Sequence, residues 1–183
     1  MTQAVTHILV PLILVAVFRD FYLRKNSREK FPLHYVFIAG ISGVIPDLDI
    51  AAFLLLRFFG FTFWEVHKTY LHSIFFPLIF FMLFVILYPV NLKSRICNIG
   101  KHQLKLSIIF LMASTGILSH LILDSIFGMP LNFLYPFELT LGLNLISYLP
   151  QDLKDLAMPV LDAALLIIYL IYLETKHKIS DYI

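Results

Sequence analysis

Seven side chains suited to holding a divalent cation stand in four short stretches: Thr6-His7, Pro46-Asp47-Leu48-Asp49, the run from His67 to Ser73, and the run from His120 to Asp124. Imidazole nitrogen and carboxylate oxygen are the donors that zinc and related divalent ions prefer. All four stretches lie inside or beside strongly apolar runs, where ionisable side chains are costly and mark functional sites. His120 and Asp124 are four apart, so they share one face of a helix and can ligate together. Asp47 and Asp49 are two apart and would not share a face unless the chain kinks at Pro46; a helix N-terminus capped by Asp47 is the competing use. His67 and His72 are five apart and need irregular backbone, or an interfacial loop beside Trp64, an aromatic-belt residue type. Ser73 and Thr6 are either ordinary caps or donors that orient the ligands.

The elements that must carry these residues follow from composition. Sixty per cent of the 183 residues are apolar and 14% are charged, with a mean hydropathy of +0.85. Those values place the chain among integral membrane proteins, as a single domain over 1–183. Apolar runs at 3–23, 33–59, 72–90, 105–127 and 156–173 predict an all-α, polytopic membrane bundle of about five transmembrane helices. The first run has no basic residues before it and is followed by Arg19, Arg24 and Lys25, so it reads as a retained span rather than a signal peptide. The second helix should be broken at Pro46, which has no N–H to donate. Residues 130–150 are apolar but interrupted by Pro130, Pro136 and Pro150, and read as a re-entrant or interfacial lid. The single cysteine, Cys97, excludes an internal disulfide.

Charge sets the expected orientation. The segments 19–30, 91–105 and 174–183 hold eleven of the fourteen Lys and Arg residues, leaving Arg57, Lys68 and Lys154 for the other side. The positive-inside rule therefore puts the C-terminus in the cytoplasm and the N-terminus outside. Asp47 lies 14 residues beyond Leu33, and His120 lies 15 beyond Lys105. At about 1.5 Å per residue each has climbed about 21 Å of a core about 30 Å thick. All seven candidates thus reach one level in the outer half of the bilayer. His34, His102 and His177 sit in or near basic segments without an aspartate at ligand spacing, and are expected to take no part. Asp162, near the outer start of the last span, is either a further ligand, an acceptor behind the ligands, or an interfacial helix-end carboxylate. A net charge of +2 gives no sign of a nucleic-acid partner.

The order Thr-His, Pro-Asp-x-Asp, His-x-x-x-x-His-Ser and His-x-x-x-Asp resembles the YdjM-like family, labelled as LexA-binding, inner-membrane-associated, metal-dependent hydrolases. The likeness runs from residue 6 to about 137 and ends in Gly128-Met129-Pro130-Leu131-Asn132-Phe133-Leu134-Tyr135-Pro136-Phe137. Where that family reads HRGxTHS, this chain has Lys68, Thr69 and Leu71 in place of the arginine, glycine and threonine. Any phosphate-clamping role would pass to Lys68, which lacks the bidentate fork of arginine. The ligand order is also distantly similar to that of zinc-dependent phospholipase C and fungal single-strand nucleases. His7, Asp47 or Asp49, His67 or His72, His120 and Asp124 match that order residue by residue. No histidine lies between Asp124 and His177, so one or two zinc-type ions are expected rather than three.

The expected function is a membrane-bound, metal-dependent hydrolase of the prokaryotic inner membrane. It would cleave a phosphate ester or diester of a lipid or lipid-linked substrate with metal-activated water. Asp49, His72, His120 and Asp124 would hold the primary metal, with His7, His67 and Asp47 completing a second site and Asp124 bridging. Asp49, Asp124 and Lys68 would carry the catalysis. Two other classes compete. A divalent-metal transporter needs polar residues at several depths, whereas the inner halves of these spans are nearly all apolar. A non-catalytic protein with a structural metal needs only a closed tetrahedral set, which seven ligands exceed.

Overall fold

Apolar sequence becomes helix almost throughout this computed structural model, which describes residues 4–27, 30–67, 69–89, 97–99, 102–128 and 130–177. The first run forms α1 (Ala4–Leu23). The second forms α2 (His34–Ser42), a tight turn at Ile45–Asp47 and α3 (Leu48–Leu56). These two helices meet at a bend of 41°, which fulfils the expected break at Pro46. A single helical turn, α4 (Phe63–Val66), follows; the N–H and hydroxyl of Thr62 both donate to the Glu65 carboxylate at 2.7 Å. Those two hydrogen bonds hold the Glu65 carboxyl below its ordinary value. Then come α5 (Phe75–Leu87), α6 (Leu106–Phe127) and α7 (Gln151–His177).

Among the described residues three helices, α1, α6 and α7, are long and apolar enough to cross a membrane, and the bent α2–α3 pair would be a fourth if taken as one broken span. The thirteen residues of α5 reach only about 20 Å, short of a core about 30 Å thick. Nor is the chain wholly helical. Strand β1 (Cys97–Ile99) pairs antiparallel with β2 (His102–Leu104), and a hairpin joins β3 (Leu131–Asn132) to β4 (Thr140–Leu141). That hairpin lies in the segment expected to be a lid. It is tied to the bundle by the N–H of Ile74 on the Phe133 carbonyl at 2.8 Å and the N–H of Leu143 on the Ser125 carbonyl at 2.7 Å.

Helix α6 is the hub, touching α1, α2 and α5, while α7 lies against α1. Buried Leu12, Val15, Tyr35, Val36, Ala39 and Met112 form the apolar core between α1, α2 and α6. Lipid is as apolar as leucine, so close backbone approach rather than hydrophobicity holds membrane helices together. Gly116 of α6 supplies such an approach: a Cβ there would sit 2.2 Å from the Ala39 carbonyl oxygen. The α7 seam is closed by polar contacts instead. Thr6 donates its hydroxyl to Asp162, and the Tyr172 hydroxyl lies 3.0 Å from Asp20 Oδ2. The two clasps join ascending positions on both helices, so α1 and α7 run parallel.

Gly116→Val is expected to force α2 and α6 apart and to cost about 1–3 kcal/mol. A lowered melting temperature of the detergent-solubilised protein would register this, whereas Ile171→Val on the exposed face of α7 should leave it unchanged.

Candidate metal centre

The N-terminal end of α1 and the C-terminal ends of α2 and α6 meet at one end of the bundle, and the donors gather there. His7 is in the first turns of α1, and His120 and Asp124 are near the end of α6. The bend between α2 and α3 delivers the two aspartates: Asp47 closes the tight turn, while Asp49 stands in the first turn of α3. Asp47 makes no side-chain cap to that helix, which leaves its carboxylate for other partners. Irregular backbone delivers the remaining pair, with His67 ending α4 and His72 closing a tight turn at Tyr70–His72. The Ser73 hydroxyl donates to the Tyr70 carbonyl at 2.9 Å, bracing that turn.

One glycine makes the convergence possible. A Cβ on Gly43 would stand 2.0 Å from the His7 carbonyl oxygen, so only glycine lets the end of α2 lie against α1. Its own carbonyl then accepts a hydrogen bond from Nδ1–H of His120 at 2.7 Å. That bond puts the proton of a neutral His120 ring on Nδ1 and leaves Nε2 as a lone pair. His72 is oriented in a similar way: its Nδ1 faces Asp49 Oδ2 at 3.1 Å, off the line of a full hydrogen bond, and its Nε2 faces His120.

The two Nε2 atoms are 3.2 Å apart. With both rings protonated on Nδ1 the two lone pairs repel unless positive charge lies between them, whereas with the His72 proton on Nε2 the contact is an N–H···N hydrogen bond. Asp47 Oδ1 is 3.7 Å from His72 Nε2 and 3.6 Å from His120 Nε2. Asp124 Oδ2 is 3.8 Å and 3.9 Å from the same two atoms. Donors around a tetrahedral ion with bonds of about 2.0–2.1 Å stand about 3.3 Å from one another, so this set needs little contraction. A proton would relieve the repulsion, but two adjacent carboxylates suit a divalent cation better. The residues fit such an ion: two imidazole nitrogens and two carboxylates face one another at donor spacing.

Beyond this core the cluster extends on two sides. Asp124 turns its other oxygen, Oδ1, to His7 Nε2 at 3.4 Å, and the His7 ring stacks on that of His120 with centroids 3.7 Å apart. Asp49 turns its Oδ1 to His67 Nδ1 at 2.9 Å. Three overlapping donor groups result: His7, His120 and Asp124; Asp47, His72 and His120; and Asp49, His67 and His72. Six of the seven side chains are at most 5% exposed, whereas Asp47 is 23% exposed. The cage opens at Asp47.

All seven candidate ligands therefore lie together, but in a different partition from the expected one. Asp47, rather than Asp49, stands beside the Nε2 atoms of His72 and His120. Spacing in sequence leaves the choice open, because two residues in a bent turn differ in direction only once the bend is known. Lys68 lies outside the described residues. His34 begins α2, whose other end reaches the cluster, and joins none of the donor groups found among the described residues. The side chains of His102 and His177 are not described. Asp162 belongs to none of those donor groups either; it sits inside α7 bonded to Thr6, and its Oδ2 is buried without a hydrogen-bond partner among the described residues. Thr6, a candidate cap or ligand-orienting donor in the sequence, instead holds Asp162, and Gly43 carried no metal-ligand signal. A glycine three residues before a Pro-Asp turn was the trace available.

A family model described as YdjM inner membrane protein matches residues 1–178. No curated protein and no solved structure matches the chain.

A divalent ion that binds only the folded cluster should stabilise it by about 2.7 kcal/mol at one hundred times its dissociation constant. Thermal melts with added Zn²⁺ should rise for the wild type and stay flat for the His72→Ala, His120→Ala double variant.

Proposed function

Because the chain belongs to the YdjM inner membrane protein family, we propose that its His–Asp cluster is the divalent-metal centre of a membrane-bound hydrolase acting on a lipid or lipid-linked phosphoester. The observation that carries this reading is the convergence of His72 Nε2 and His120 Nε2 with Asp47 and Asp124 in a cage that opens at Asp47 alone. Structural zinc sites are closed, whereas catalytic ones keep a position open to water and substrate. A divalent ion there, one or two in number and zinc by donor type, supplies Lewis acidity and acidifies a water to a pKa of about 7.

The chain's own residues do the rest. His120 holds its lone pair inward through the Gly43 carbonyl. Asp124, with one oxygen toward His7 and one toward the His72–His120 pair, ties the two sides of the cluster together. Asp47, the exposed member, faces arriving substrate. Lys68 follows His67 in the chain, and in this reading its ammonium meets the phosphate charge.

Charge topology supports an outward-facing N-terminus and a cytoplasmic C-terminus, with α5 as a short fifth passage and the cluster in the outer half of the bilayer. A substrate with acyl chains would then reach Asp47 laterally, its phosphate at cluster level and its chains in lipid. Transport of the ion is the poorer reading, because buried Leu12, Val15, Val36, Ala39 and Met112 fill the bundle beside the cluster with apolar side chains.

Purified protein should carry near-stoichiometric divalent metal by elemental analysis and release phosphate or a phosphorylated headgroup from some lipid in a substrate screen. Asp124→Asn should reduce turnover by more than the roughly 100-fold that outer-shell changes cost. Folded protein that binds no divalent ion under any loading condition would overturn the reading. Uptake of metal into sealed vesicles, abolished by His120→Ala, would replace it with transport.

A further inference from the structure

Asp49, His67 and His72 form the third donor group, and their ligand atoms all lie within 4.8 Å of one another. By composition alone this is a second cation cage. Its geometry says otherwise. The two imidazoles meet Asp49 through their Nδ1 atoms, His67 in a hydrogen bond of 2.9 Å on Oδ1 and His72 at 3.1 Å beside Oδ2, off the line of a full hydrogen bond. An ionised carboxylate only accepts, so each Nδ1 facing it is favoured as an N–H and has no lone pair for a metal. Furthermore, Asp49 stands on the Nδ1 edge of His72, while Asp47, Asp124 and His120 stand on the Nε2 edge. A carboxylate on one edge of an imidazole cannot reach an ion bound on the other.

We propose that Asp49 and His67 are positioning residues for His72 rather than cation ligands. The inference rests on the metal-centre reading above. Asp49, 4% exposed at the start of α3, sets the tautomer of His72 and aims its Nε2 at His120. His67 is the anchor behind it: its Nδ1–H holds Oδ1, so the carboxylate cannot rotate away and Oδ2 stays on His72. The ring of Phe63 packs on His67 with centroids 4.7 Å apart, fixing the anchor in turn. His67 Nε2 is buried without a hydrogen-bond partner among the described residues. That is a cost the fold carries at an atom facing away from Asp49. Metal-bound histidines depend on such outer partners, whose loss weakens metal binding about 10–100-fold without removing a ligand.

Co²⁺ titration of the full chain in detergent, read by visible absorption, tests this. Asp49→Asn and His67→Leu should bind the same number of ions as wild type, about 10–100-fold more weakly, with the saturated spectrum unchanged. His67→Asn, whose amide places a donor where Nδ1–H was, should recover most of the affinity that His67→Leu loses. A lost equivalent of Co²⁺ or a changed saturated spectrum in Asp49→Asn would make Asp49 a ligand and overturn the proposal. Unchanged affinity in both Asp49→Asn and His67→Leu, each melting as wild type, would also overturn it. Wild-type protein that takes up no Co²⁺ would instead defeat the metal-centre reading beneath it.

Discussion

Two imidazole Nε2 atoms held 3.2 Å apart inside an apolar bundle are the constraint on which the rest of the structure turns. With both protons on the Nδ1 atoms the pair is repulsive, and water cannot screen it where the histidines are wholly buried. Each ring is nevertheless held from behind, His120 by a backbone carbonyl and His72 by Asp49. In that tautomer the fold maintains a repulsive arrangement on its inner side with contacts on its outer side. Positive charge placed between the rings turns that repulsion into attraction, and Asp47 and Asp124 stand where they would neutralise a divalent ion. Pre-organisation of this kind is what a metal site needs, since donors already gathered pay little to order on binding.

Backbone, more than side chains, makes the gathering possible. Three helix ends meet at the cluster because Gly43 and Gly116 allow α2 to lie in contact with α1 and α6. The bend at Ile45–Asp47 turns one apolar run into two helices and presents two aspartates in different directions. Away from the cluster, α7 is placed by polar clasps to α1 at Asp162 and Tyr172, because apolar faces in lipid have no preferred partner. Asp162 thus serves the docking of α7 through Thr6, next in the chain to His7.

The membrane class, the break at Pro46 and the seven clustered His and Asp side chains were legible in the sequence. Length, apolar periodicity and the scarcity of ionisable residues carry that information locally. The β1–β2 pair was not, since its short strands sit in a polar connection without a strong alternating pattern. The third apolar run, 72–90, extends beyond the thirteen residues of α5. Asp162 stands out in the sequence as a carboxylate in an apolar run, but its partner Thr6 lies 156 residues away in the chain, beyond the reach of any spacing rule.

By itself the sequence determined which residues could form the cluster and how far along each helix they stand, because rise per residue is a property of the local backbone. Tertiary structure alone decided how they are shared out. Asp47 faces the Nε2 atoms and Asp49 the Nδ1 atoms, a difference set by the 41° bend between α2 and α3 and by the carbonyl that Gly43 offers to His120. Direction in space depends on both ends of every contact, and a linear spacing records only one.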